Sequence, residues 1–242
     1  MTTMLMYEQL IAVNRDQHRH WRIRPGSHKL AFAKATNSVL LAASELPMAA
    51  LDYPCVFVGA GEHHTMAAIV GLRDKENLML DTAGNWDADS YVPAFVRRYP
   101  FVLAEQPGST QLTICMDRSF DGFNETEGEA LFDEQGQDTA YLSELKTFLI
   151  NFHQDMQRSA AFANELARLD LLVERNIACH VGEQTVTLSG FKVVDEERLS
   201  KLPQDTVLTL FKTGALGWIH AHLLSLNNVK RLGARLSRLS AS

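Results

Sequence analysis

Residues 76–104 read ENLMLDTAGNWDADSYVPAFVRRYPFVLA, and no other stretch packs so much distinctive chemistry together. Asn77–Leu80 is a short apolar run that reads as a strand. Asp81-Thr82-Ala83-Gly84-Asn85 reads as a turn, because Asp opens side-chain-capped turns and Gly84 takes positive φ at little cost. Asp89 or Ser90 is placed to cap a helix, with Pro93 near its first turn, where a missing N–H costs little. Pro100 closes that helix, since the residue before a proline is pushed out of the helical region. Phe101–Ala104 reads as the next strand. The stretch therefore predicts strand, turn, short helix and strand.

Trp86, Tyr91, Arg97 and Arg98 are the ligand-binding residues this reading selects. A guanidinium binds a carboxylate or phosphate through its planar fork. Trp86 offers a stacking platform, and Tyr91 lies between them in sequence. The competing reading pairs the arginines with the protein's own acids, or leaves them on the surface, and makes Trp86 a core aromatic.

Before this stretch, Met4–Val13 reads as a strand or an arm. Trp21–Arg24, Leu30–Ala33, Val39–Ala42 and Pro54–Val58 read as strands. Ser44–Leu51 reads as a short helix capped by Ser44, with Pro47 in its first turn. Gly59–Thr65 reads as a loop carrying His63 and His64, followed by a strand over Met66–Leu72. Beyond the stretch, Gln111–Met116 alternates and reads as a strand. Asp117–Asp138 is acidic and reads as an exposed connection anchored by Leu131 and Phe132.

Thr139–Asn176 carries the longest helical period, as one helix or as two meeting at Arg158-Ser159. Thr185–Leu188 and Phe191–Val194 read as a hairpin around Ser189-Gly190. Asp195 caps a helix, a second helix covers Asp205–Lys212 and stops at Gly214, and Ala215–Leu239 is terminal. Arg231, Arg235 and Arg238 form a basic stripe there beside Leu232, Leu236 and Leu239, suited to a partner or an anionic surface, or simply to solvent. Strands first and helices later predict an α+β fold. A mostly antiparallel N-terminal sheet with short helices (about 1–117) precedes a mainly helical half (about 138–242), all in one domain over 1–242.

With 242 residues, 46% hydrophobic and 21% charged, the chain can bury a substantial core. A net charge of −6 argues against general nucleic-acid binding. No run is long and apolar enough to span a bilayer, and the first residues lack a secretory layout, so a cytoplasmic location is expected. Cys55, Cys115 and Cys179 are too far apart for a CxxC site. Two histidine pairs, His18/His20 and His63/His64, are the metal candidates, but neither has the spacing of a known metal motif. His220 and His222 fall on different helical faces. The acidic segment lacks the EF-hand spacing. No metal site or cofactor is assigned.

The DYP-x-VF segment, the block quoted above, and the later EGEALFDEQG and LSGFKVVDEERLSKL blocks together resemble the SapC family of bacterial proteins, from about Arg19 to about Leu232. The resemblance implies no agreed catalytic residues. It implies a link to surface layers, from the family's name, and a genomic neighbourhood of TonB-dependent receptors, cupin-like oxygenases and tryptophan-halogenase-like flavoproteins. The expected function is that of a non-catalytic accessory protein binding a peptide or protein partner, in a TonB-linked uptake or halogenase-like system. The alternatives are a metal-dependent oxygenase or hydrolase using histidines and acids, and a surface-layer structural protein. A homo-oligomer is compatible with any of these.

Overall fold

The computed structural model describes residues 6–24, 30–105, 112–181 and 184–240. In chain order come β1 (Leu10–Ala12), β2 (Arg22–Ile23), a 3-10 turn (Leu30–Ala33), β3 (Ser38–Leu41), and a 3-10 turn (Ala43–Glu45) running into α1 (Leu46–Ala49). There follow β4 (Cys55–Ala60), β5 (His63–Ile69), α2 (Ala94–Arg97), β6 (Phe101–Glu105), β7 (Leu112–Asp117), β8 (Phe123–Asn124) and β9 (Glu129–Ala130). The long α3 (Ala140–Arg168) precedes β10 (Leu172–Val181), β11 (Gln184–Val194), α4 (Glu196–Ser200), α5 (Gln204–Lys212), α6 (Ala215–Ser225), a 3-10 turn (Leu226–Asn228) and α7 (Val229–Ser240). The fold is α+β, and the strand pairings among described residues are antiparallel.

The chain divides into two compact units. One is Met1–Ala33 with Val96–Gln154, and the other is Lys34–Phe95 with Asp155–Ser242. The first unit holds two three-stranded sheets, ordered β1-β7-β6 and β8-β2-β9. Its core gathers Ile23, Phe101, Met116, Phe120, Leu131, Phe132, Leu142 and Leu149. Leu142 and Leu149 come from α3, whose i, i+3, i+4 apolar spacing puts one stripe against the sheets. Thr139 caps that helix, its hydroxyl accepting from the Leu142 N–H at 3.3 Å. Asp117 is buried and ties the first unit's N-terminal segment to β7. One carboxylate oxygen accepts from the Glu8 N–H at 2.8 Å, and the other from the Gln9 N–H and from Ser119. Burial alone would raise this acid, but these donors outweigh it and hold the carboxyl below its ordinary range.

The second unit is a five-stranded sheet, ordered β10-β11-β4-β5-β3, carrying helices. The tilted pair Phe57–Phe162 and the edge-on pair Phe162–Trp218 tie the sheet to α3 and α6, with centroids 6.0 and 5.2 Å apart. Between β11 and β4 the register pairs Lys192 with Phe57, which puts Val194 opposite Cys55 at the next hydrogen-bonding step. There the ladder is completed by α6. The Val194 N–H donates to His222 Nε2 at 3.1 Å, and His222 Nδ1–H donates to the Cys55 carbonyl at 2.6 Å. Three residues on, one helical turn along the same face, the Ser225 hydroxyl accepts from the Cys55 N–H at 2.9 Å. Burial pushes the fully buried His222 down to about 4.

Several expectations change. Asn77–Leu80 forms no strand; Leu80 makes a single bridge to Trp86, and the Asn77 side chain folds back on the Met79 N–H. Leu30–Ala33 is a 3-10 turn. His63 and His64 lie inside β5, because the tight Gly61-Glu62 connection lets the hairpin register run to Ala60↔His63. The short helix before β4 starts one residue before Ser44, so Ser44 is no cap; Glu45 reaches back instead, accepting from the Ala42 N–H at 2.9 Å. Asp89 and Ser90 do not cap α2. The Ala94 N–H there donates to Glu45, 49 positions earlier, at 2.7 Å.

The long helix is one helix and stops at Arg168. Asp170 takes φ +55°, and the Leu171 N–H donates to the Leu166 carbonyl, closing the end with a Schellman bond. Residues 172–176 are therefore strand, and the mainly helical C-terminal half contains the two longest strands. Ser189-Gly190 is no hairpin turn. β11 runs through it with a bulge against Arg175–Ile177, using Gly190 at φ +82°. The terminal helix is broken at Leu226–Asn228, where the Asn228 amide donates to the Ala50 and Tyr53 carbonyls. Part of the acidic connection, Phe123–Asn124 and Glu129–Ala130, pairs with β2, and Leu131 and Phe132 are buried as expected.

Candidate functional site

Helix α7 buries Val229, Leu232 and Leu236 and packs on β10. That apolar stripe leaves Arg231, Arg235 and Arg238 along the helix edge beside Met79, Asp87, Asp89 and Ser90. Arg231 donates to the Leu51 carbonyl and lies 3.6 Å from the Asp52 carboxylate. Arg235 pairs with Asp87 and lies 3.2 Å from the Met79 sulfur. Burial pushes Arg235 down from its ordinary value, and the Arg238 charge adds to this. A guanidinium so far above neutrality stays cationic. The expected basic stripe is real, and two of its members are met by acids of the same unit.

Two cavities open beside this edge. One, of about 220 Å3, is polar and is lined by the three arginines with Asp52, Asp87, Asp89 and Ser90. The other, of about 360 Å3, is lined by Leu78, Met79, Leu80, Trp86 and Leu239, with Asp81 and Asn85 at its turn. They share Met79, Asp87 and Arg235. The Asp81–Asn85 turn holds this wall as read from the sequence: Asp81 accepts from the Asn85 N–H at 2.8 Å, and Gly84 sits at φ +84°. Trp86 is mostly buried, and its Nε1–H donates to the Tyr53 hydroxyl at 3.0 Å. Tyr53 donates in turn to the Tyr91 carbonyl, and Asp52 accepts from the Tyr91 N–H at 2.9 Å. Tyr91 uses its own hydroxyl on Glu45, at 2.8 Å.

Trp86 and Tyr91 are thus joined through Tyr53 in the second unit, with Trp86 on the cavity wall and Tyr91 behind it. Arg97 and Arg98 belong to the first unit. Arg97 is exposed, its guanidinium 5.4 Å from the centre of the Phe148 ring. Arg98 is half-buried, 5.7 Å from the Tyr7 ring and 5.5 Å from that of Phe152. Burial pushes Arg98 down and Tyr7 up to about 12.

The SapC family model matches residues 13–232 of the chain. The chain belongs to the SapC family. No curated protein and no solved structure matches it.

In this SapC-family chain the histidine pairs do not converge. His18 is buried, accepts from the Asn14 N–H at 2.9 Å and packs edge-on against Trp21. His63 and His64, consecutive strand residues, face opposite sides of β5. His64 accepts from the Lys192 ammonium at 3.1 Å. Among the described residues, no three His, Cys, Asp or Glu side chains are grouped to hold a metal ion. Burial raises all three cysteines, Cys55 to about 12, which leaves each a poor thiolate. No described helix is long and apolar enough to cross a membrane.

Glu45, Asp117, His222 and Ser225 do the most buried polar work in this SapC-family fold, and the sequence singled out none of them for it. Most of their partners lie far along the chain, so no spacing rule marks them. For Glu45, a carboxylate inside the apolar run ASELPMAA was the available signal.

Proposed function

We propose that this protein is a non-catalytic binding protein that recognises a peptide or protein partner. The observation that carries the reading is the groove beside α7. Its polar half offers three guanidiniums and three carboxylates, and its other half is apolar, with Trp86 and the 53% exposed Leu239. A peptide presents the same mixture, charged groups and apolar side chains a few ångströms apart along one strand. Fixed arginines supply forked donors for a partner's carboxylates, and Trp86 and Leu239 supply apolar area. Arg97, the exposed member of the other pair, is proposed with Arg98 as a separate contact patch. The family's genomic neighbourhood makes TonB-linked uptake and halogenase-like systems the first places to seek the partner.

The test is affinity capture from native lysate, followed by titration of each purified partner. It would compare the unaltered protein with Arg231→Ala, Arg238→Ala and Leu239→Ser, and separately with the Arg97→Ala/Arg98→Ala double variant. These groove side chains are exposed, so the fold should survive. A partner weakened at least tenfold by the groove variants supports the reading. Folded variants that keep every interaction at full strength refute the groove.

A further inference from the structure

The first unit holds another cavity, of about 270 Å3, lined by Trp21, Arg118, Phe120, Phe123, Asn124 and Glu125. Its wall is aromatic and fixed from behind. The rings of Trp21 and Phe123 are 5.3 Å apart, and Phe120 meets Phe123 edge-on at 5.2 Å. Behind them, His18 packs on Trp21 at 4.7 Å and Phe101 packs on Phe123 at 5.8 Å. These rings, inclined to one another by 45° and 88°, are held in place as an apolar, angled wall.

The polar groups of the cavity divide cleanly. Asn124 is committed to its own turn: its carbonyl oxygen accepts from the Thr126 and Glu127 N–H groups, and its amide donates to the Glu127 carbonyl at 3.0 Å. The exposed side chains of Arg118 and Glu125 form no hydrogen bond or ion pair with any described residue, including each other. The cavity therefore shows a guanidinium fork and a carboxylate, uncommitted, beside an aromatic floor. Its volume falls just below the roughly 300 Å3 at which drug-sized ligand pockets begin. That suits a single-ring ligand.

We propose that this cavity binds a free aromatic α-amino acid. The ring lies against Trp21 and Phe123, the α-carboxylate takes the Arg118 fork, and the α-ammonium faces Glu125. A residue within a peptide lacks both charges, and a terminal residue lacks one, so the pair of uncommitted charges selects the free zwitterion. The site is independent of the groove beside α7.

The experiment titrates 15N-labelled full-length protein with L-phenylalanine and follows the Trp indole N–H signals. The Trp21 signal is assigned by its loss in Trp21→Phe. A saturable shift at Trp21, with Trp86 and Trp218 still, is expected. Phenethylamine, 3-phenylpropionate and L-alanine, which lack the carboxylate, the ammonium and the ring respectively, should each bind at least tenfold more weakly. Arg118→Ala and Glu125→Gln, both at exposed positions, should each weaken L-phenylalanine at least tenfold while the rest of the spectrum is unchanged. The proposal is overturned if Trp21 shows no saturable shift up to about 10 mM, a ceiling set by millimolar affinity being the weakest useful binding. It is equally overturned if phenethylamine or phenylpropionate matches L-phenylalanine, or if the two variants bind as the unaltered protein does.

Discussion

His222 makes the stability of the second unit depend on pH. Its imidazole stands in for a ladder bond, accepting from the Val194 N–H and donating to the Cys55 carbonyl. Protonation would convert the acceptor Nε2 into a donor facing a donor. It would also put a charge where the edge of the ring meets Phe57 at 4.9 Å and the Cys55 thiol, raised to about 12, stays neutral. Burial holds the folded-state value at about 4 against an ordinary 6.5. The unfolded chain therefore takes up the proton first. The contribution is fully present above about pH 6.5, and it is lost progressively as pH falls towards about 4. That fall in proton affinity corresponds to about 3 kcal/mol, at about 1.4 kcal/mol per tenfold change. For a chain of this size it means a drop of roughly 6–12 °C in Tm. His18, also lowered, mainly by burial, adds in the same direction, so a variant is needed to isolate His222. His222→Gln keeps one acceptor and one donor at similar reach and cannot titrate. Thermal unfolding of both proteins at about pH 7 and about pH 4.5 is the assay, the two values covering most of the window in which the proton is taken up. The unaltered protein should lose about 2 kcal/mol more than the variant over that interval, most of the full difference. Equal losses would show that His222 is not held neutral by this site, and the ladder argument would fail.

Glu45→Gln replaces an oxygen that accepts from the Ala42 N–H by an amide donor, while the other oxygen can still serve Tyr91 and Ala94. It should cost about 2–3 kcal/mol in urea unfolding, the size of one lost charge-assisted bond plus a stranded N–H. Asp117→Asn strands the Glu8 N–H in the same way and should cost a similar amount, about 2–3 kcal/mol. Because the Asp117 carboxyl is held below its ordinary value, the unaltered protein should keep this stabilisation above about pH 4 and lose it only below. Asp170 sits at φ +55° and pairs with the exposed Arg198. Asp170→Gly and Asp170→Ala both delete that pair, so their difference isolates backbone strain. Glycine should be the more stable by about 1–2 kcal/mol, and equal stabilities would contradict the left-handed helix end.

What the sequence by itself determined is local. The Asp81–Asn85 turn, the apolar stripe of α3, the strand at Cys55 and the Asp195 cap, which accepts from the Arg198 N–H at 3.0 Å, each follow from residues within a turn or two of one another. The amphipathic stripe of α7 was legible for the same reason. What only the tertiary structure decided is where distant polar groups meet. Glu45 caps α2 in place of the nearby Asp89 and Ser90, His222 completes a strand ladder, and Asp170 ends a helix that contains no proline or glycine to announce it. The grouping of candidate residues was decided there too, Trp86 with Arg235 on one cavity wall and Arg97 and Arg98 in the other unit. A buried N–H or C=O must find a partner, and the chain does not say in advance which side chain, tens or hundreds of residues away, will be in reach when the core closes.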